Sequence, residues 1–153
     1  MDRRFLRGLF EYLGTLPVES MIAAPPYLAS DIPLFARRKV FIQYKLSHPF
    51  FDRYWETVKK RTYDFFDAYY AWDRRRVAEF CAKNGVDYLV VDRFSFRPDA
   101  LARRAYFEPF GSYVRTLTAG RSRFALDELP ESAASYSDGR MLVVGCGALG
   151  PPR

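Results

Sequence analysis

FFDRYWETVKKRTYDFFDAYYAWDRRRVAEFCAKNGVDYLVVDR, residues 50–93, decides the fold class. Phe51, Tyr54, Trp55, Val58, Thr62, Phe65, Phe66 and Tyr69 recur at steps of three and four, the spacing of one buried helix face. Asp52, Arg53, Glu56, Lys59, Lys60, Asp64 and Asp67 fall mostly on the opposite side. Trp72-Asp73 breaks the pattern, with Asp73 placed to cap a second helix carrying Val77, Phe80 and Cys81. Asn84-Gly85 ends that helix, because the residue after a helix often takes a left-handed conformation. Asp87–Val91 follows at once and is nearly all apolar, as a strand covered on both faces should be. A helix that feeds directly into such a strand is half of an α/β unit.

Toward the N-terminus, Phe5, Leu6, Leu9, Phe10 and Leu13 repeat at helical spacing before Gly14. Val18–Ala24 is a strand candidate closed by Pro25-Pro26. Ser30-Asp31-Ile32-Pro33 starts a short helix through Phe35, with Asp31 expected to accept first-turn N–H groups. Lys39–Tyr44 reads as a second strand, rich in β-branched and aromatic residues, and His48-Pro49 punctuates the entry to the long helix. Toward the C-terminus, Pro98–Tyr106 and Pro109–Ala119 read as short helices and Phe124-Ala125-Leu126 as a weak strand. Pro130–Ser137 reads as loop, and the turn Ser137-Asp138-Gly139 leads into a last strand at Met141–Val144.

This order predicts a three-layer α/β domain, Rossmann-like, with a mostly parallel sheet of about four or five strands and an antiparallel edge hairpin. The expected organisation is a single domain over residues 1–147 and a flexible tail over residues 148–153. The 153-residue length suits one core of ordinary size. The formal charge of +6 and pI of about 9.4 admit anionic partners. The arginines and lysines are scattered, however, and most sit beside an acidic residue or on a helical polar face, which argues against a nucleic-acid patch. Fourteen Phe and eleven Tyr exceed what one core stripe requires. Cys81 and Cys146 form neither a metal-like pair nor a disulfide framework by spacing, and Cys81 reads as a buried thiol. No stretch approaches the ~18 consecutive apolar residues of a membrane span, and Met-Asp-Arg-Arg lacks the apolar core of a signal peptide.

Gly145-Cys146-Gly147-Ala148-Leu149-Gly150 matches the dinucleotide-binding glycine pattern and follows a strand. That chemistry needs a helix after the glycines and a ribose-binding acid about 20 residues on. Pro151-Pro152-Arg153 supplies neither, so no cofactor is expected. His48 is the one histidine, which excludes a multi-His metal site. Open α/β sheets bind ligands beyond the C-terminal ends of their strands. Pro25-Pro26, Lys45, His48 and Asp92-Arg93 lie at such ends. An adjacent Asp-Arg pair is also a common surface ion pair. In the run Phe65–Trp72, Tyr70 and Trp72 are the surplus aromatics, available to stack on a sugar or a base or to rest at a membrane interface. The candidate ligand-binding set is Arg38, Lys45, His48, Tyr70, Trp72, Asp92 and Arg93, with no catalytic and no metal residue.

Five segments in order carry a family resemblance. They are Pro17-Val18-Glu19-Ser20-Met21-Ile22-Ala23, Asp31-Ile32-Pro33-Leu34-Phe35-Ala36-Arg37-Arg38, Ser47-His48-Pro49-Phe50, Ala68-Tyr69-Tyr70 and Lys83–Asp92. The chain resembles the C-terminal extracytoplasmic soluble domain of bacterial polytopic membrane proteins similar to multi-pass glycosyltransferases that use lipid-linked sugars. Lys45 departs from that pattern, where many relatives carry an acid. The resemblance implies a non-catalytic accessory domain on the extracytoplasmic face of the bacterial inner membrane. Such a domain would help to bind a lipid-linked sugar or acceptor. Its partners would be the membrane portion of its own parent chain, an anionic lipid surface or a carbohydrate, and the parent would hold the glycosyltransferase chemistry. Two other readings compete: a free-standing binding module for a nucleotide or sugar at the strand C-terminal edge, and a weak nucleic-acid binder.

Overall fold

The computed structural model describes residues 3–43, 52–103 and 106–150. The chain runs α1 (Arg3–Leu13), β1 (Met21–Ala23), α2 (Pro26–Ala29), α3 (Ile32–Ala36) and β2 (Lys39–Val40). It continues through α4 (Asp52–Tyr69), α5 (Arg74–Asn84), β3 (Tyr88–Asp92), α6 (Pro98–Ala102), α7 (Phe110–Thr118), β4 (Tyr136–Ser137) and β5 (Met141–Gly145). Short 3-10 turns cover Arg93–Phe96, Glu131–Ala133 and Cys146–Leu149.

The decisive stretch folds as its pattern dictates. The apolar stripe of α4 buries Val58, Thr62, Phe65, Phe66 and Tyr69. Asp73 caps α5 by accepting from the Arg75 N–H at 2.9 Å, and Gly85 closes it at φ 65°. In β3, Leu89 and Val91 point into a core shared with α4, α5 and α7, while Val90 points into a second core shared with α1, α2 and α3. The alternation recurs in β5, with Leu142 and Val144 on the first face and Met141 and Val143 on the second. This produces three layers, helices on both faces of one sheet.

The strand order is β2-β1-β3-β5-β4. β1 pairs in parallel with β2 and β3, whereas β5 runs antiparallel to both β3 and β4. The sheet is therefore mixed, which corrects the expectation of a mostly parallel one. The reason lies in the long connection after Asp92. It leaves the C-terminal end of β3 and re-enters at that same end, where Asp92 stands opposite Met141.

Three other expectations change. Asp31 precedes α3 without a side-chain capping bond. β2 is two residues long rather than six, its ladder to β1 ending where Val40 stands opposite Ile22, and Tyr44 lies outside the described residues. Phe124–Leu126 is a buried turn, not a strand, and the Ala125 N–H bonds the Ala71 carbonyl at 2.8 Å.

The reading of Cys81 as a free thiol is also overturned. Cys81 on α5 and Cys146 after β5 form a disulfide, with Cα atoms 6.3 Å apart. The antiparallel course of β5 makes this possible, because it delivers Cys146 to the end of β3 that follows α5. The Cys146 N–H donates to the Asp87 carbonyl there at 2.9 Å. The following turn buries Leu149 in the first core. Across the molecule, α1 lies against the β4–β5 hairpin. Tyr12 stacks on Tyr136 at 5.1 Å, and a Cβ at Gly8 would stand 2.9 Å from the Tyr136 hydroxyl oxygen.

Candidate functional site

β3 ends on Asp92, a carboxylate only 2% exposed. Burying such a charge requires partners on its oxygens. Asp92 Oδ1 accepts from Arg140 Nε at 2.9 Å and from the Phe94 N–H at 3.0 Å. Oδ2 accepts from Arg140 Nη2 at 3.0 Å and from the Tyr27 hydroxyl at 2.5 Å. Arg140 reaches this position because it immediately precedes β5, beside the end of β3. The fork-on-carboxylate geometry is the strong form of the ion pair. Its bond to Asp92 raises the Arg140 guanidinium above the ordinary arginine range, so it stays charged throughout.

Behind the carboxylate lies a hydroxyl network. Tyr69 Oη accepts from the Asp92 N–H at 3.0 Å and bonds Ser95 Oγ at 2.7 Å, while Ser95 Oγ donates to the Asp92 carbonyl at 2.5 Å. Tyr70 donates to the Ser95 carbonyl at 3.3 Å and pairs with the Tyr106 hydroxyl at 2.9 Å. Burial is the first cause that pushes these phenols up. Tyr70 rises to about 12, and Tyr27, Tyr69 and Tyr106 go well above the ordinary tyrosine value. All four remain protonated at neutral pH. Asp92 accepts two bonds on each oxygen and the phenols keep their protons, so the cluster holds no free base.

This network floors a cleft of about 680 Å³ that opens beyond the C-terminal end of β3, within the size range of small-molecule sites. Tyr27 and Asp31 contribute from the α2–α3 side, and Tyr70 and Asp92 from the floor. Arg97, Asp99, Arg103 and Tyr106 contribute from the connection around α6, and Gly111 and Arg115 from α7. Gly111 carries no side chain for a steric reason: a Cβ there would stand 2.6 Å from the Tyr106 carbonyl oxygen. The guanidiniums of Arg97 and Arg140 lie over the Phe94 ring, 3.6 and 4.1 Å from its centroid, a cation–π arrangement.

The residues singled out from sequence are dispersed. Asp92 and Tyr70 line the cleft. Arg93 neighbours it but donates to the Asp127 and Leu129 carbonyls at 3.0 and 2.9 Å, bracing the turn beyond. Arg38 donates to the Leu16 and Gly14 carbonyls at 2.6 and 2.7 Å, tying the α1–β1 connection to the end of α3. Trp72 stands 61% exposed away from the cleft. Lys45 and His48 lie outside the described residues. Sequence reasoning missed Tyr27, Ser95, Arg97, Tyr106, Arg115 and Arg140. Pro25-Pro26 flagged the strand end beside Tyr27. Nothing local marked Arg140, whose partner is 48 residues distant.

Among the described residues, no helix is long and apolar enough to cross a membrane. No group of three or more His, Cys, Asp or Glu side chains there is arranged to hold a metal ion. No protein-family model matches the sequence, and no curated protein does. Among solved structures, the fold is similar to the C-terminal globular domain of oligosaccharyltransferase from Archaeoglobus fulgidus. The likeness spans 94% of this chain and 96% of that domain, with a TM-score of 0.54 and 10% sequence identity. At that identity the likeness speaks for the fold. The domain it resembles is archaeal, and the fold is what the two share.

Proposed function

We propose that this chain is a non-catalytic accessory domain of a membrane glycosyltransferase-like protein. It would sit on the extracytoplasmic face and use the cleft beyond β3 to help bind a lipid-linked sugar or acceptor. The observation that carries this reading is the end-to-end match of its fold to the globular domain of an oligosaccharyltransferase. The Cys81–Cys146 disulfide supports it, since such bonds persist in oxidising compartments and are rare where thiols are kept reduced. The saturated carboxylate and the protonated phenols support a binding role over a chemical one. A formal charge of +6 suits an anionic bilayer, such as the inner membrane of the bacteria that the sequence resembles.

The test is fractionation of the source cells with an antibody to the chain, followed by protease treatment of intact spheroplasts. The chain should sediment with membranes and be digested from outside. A chain recovered in the soluble cytosol, with alkylatable Cys81 and Cys146, overturns the reading. That outcome would favour a free-standing binding module, for which the cleft's position beyond a strand end is the supporting observation.

A further inference from the structure

Within the cleft, the charges are unevenly partnered. Asp92 is occupied by Arg140, and Asp99 lies 3.4 Å from Arg103. Asp31 borders both this cleft and the apolar groove beside α1. Two arginines are left with capacity. The Arg97 guanidinium rests on Phe94 and has no hydrogen-bond or ion-pair partner among the described residues. Arg115 touches Ser112 Oγ at 3.1 Å and lies 3.8 Å from Glu108 through Nη2. Its Nε is buried with no hydrogen-bond partner among the described residues. A buried donor on a charged group is costly to leave unmade, and this one belongs to a side chain that lines the cleft.

We propose that the cleft binds a phosphate or diphosphate group between Arg97 and Arg115, with the Tyr106 hydroxyl at its floor. The two guanidiniums come from different elements, one ahead of α6 and one on α7. A planar carboxylate offers two oxygens and is filled by one fork, whereas a phosphoryl group offers further oxygens to a second. The stacked Phe94 ring pre-orients Arg97, which lowers the ordering cost of gripping an anion. This assignment goes beyond the accessory-domain reading and does not depend on it, because it stands on the cleft's side chains alone.

Calorimetric titration of the chain with inorganic pyrophosphate at low ionic strength tests the proposal. Saturable one-site binding is expected. Arg97→Gln and Arg115→Gln should each weaken it by about ten-fold or more, the loss carried by a charge-assisted hydrogen-bonded fork. Arg53→Gln, on an exposed residue of α4 outside the cleft, should leave it unchanged. Melting curves establish that each variant is folded, and Arg97 is exposed enough to be replaced without disturbing the core. Absence of saturable binding overturns the proposal, and so does binding that is indifferent to both cleft substitutions.

A second arm separates the possible sources of the phosphate. Phosphatidylcholine vesicles doped with phosphatidic acid are sedimented with the wild-type chain and with Arg97→Gln. Retention that Arg97→Gln abolishes assigns a lipid headgroup, and pyrophosphate binding without retention assigns a soluble phosphate ester. Retention equal in both proteins, with no pyrophosphate binding, is surface charge alone and overturns the site.

Discussion

Under α4, α5 and α7 the sheet meets Phe65, Phe66, Tyr69, Tyr70, Phe80, Phe96, Phe110 and Phe124. Under α1, α2 and α3 it meets mostly aliphatic side chains, among them Leu6, Leu9, Leu13, Leu28 and Ile32. Both layers exclude water, but the aromatic one carries the Tyr69, Tyr70 and Tyr106 hydroxyls to the end of β3. Phe65 and Tyr69 stack at 5.1 Å, Tyr69 and Phe96 at 5.0 Å, and the tyrosine tips emerge at the end of β3. The aromatic surplus is thus a way to carry polar atoms through a core: a ring buries large apolar area and delivers one donor at its far end. The aliphatic layer contributes the opposite wall, through Tyr27. Asp92 sits at the seam and bonds to both.

Alkali should strike the aromatic layer hardest. Tyr69, Tyr70 and Tyr106 are buried, and their folded pKa values are raised above the unfolded value of about 10. The unfolded chain then loses protons first as pH rises, so stability is full below about pH 10 and falls above it. Each tyrosine contributes up to ~1.4 kcal/mol per pH unit in that window. Urea midpoints should hold steady up to pH 9 and drop steeply from pH 10 toward pH 12, where Tyr70 itself ionises. A flat profile would mean that the phenols are wet.

The next effect in size compares the layers directly. Phe65→Ala should cost about 4 kcal/mol in chemical denaturation, more than Leu9→Ala at about 3 kcal/mol, because it opens the larger void. Equal losses would show that the aromatic layer collapses around the gap. Cutting the covalent tie through Cys81→Ala with Cys146→Ala should cost about 3 kcal/mol, within the usual range for a disulfide. The loss should appear as a lower urea midpoint, with wild-type protein in reductant behaving alike. Smallest is Asp92→Asn, at about 2 kcal/mol, since Arg140 is 24% exposed and water can take up part of the released charge. It tests whether the seam, rather than either layer, holds Arg140 in place.

Much of the aromatic layer was legible before the structure. The periodicity of α4, the Asp73 cap, the Gly85 stop and the two-faced β3 are local patterns with local causes. What was not legible depended on partners distant in sequence. Lys39–Tyr44 has every residue a strand wants, but its ladder to β1 ends at Val40, opposite Ile22. Phe124–Leu126 is apolar enough for a strand and instead folds into a buried turn held by Ala71. The direction of β5 follows from where the long connection returns, which no single segment encodes. The disulfide, spanning a sequence separation of 65, and the Asp92–Arg140 pair both follow from that direction. Asp92 was recognisable as a strand end. Its character as a fully occupied anchor was not, because its four donors come from three separated stretches of chain.

The contact between α1 and the β4–β5 hairpin has a mechanical consequence. Gly8 lets the helix sit against the Tyr136 hydroxyl, and the stacked Tyr12 and Tyr136 rings fasten the two elements together. The turn of that hairpin leads straight into Arg140, which grips Asp92 at the cleft floor. A tug or a tilt applied to α1 therefore loads a short lever whose far arm ends on the Asp92–Arg140 pair. The N-terminal helix and the cleft share one handle, and bulk introduced at position 8 would be the simplest way to loosen it.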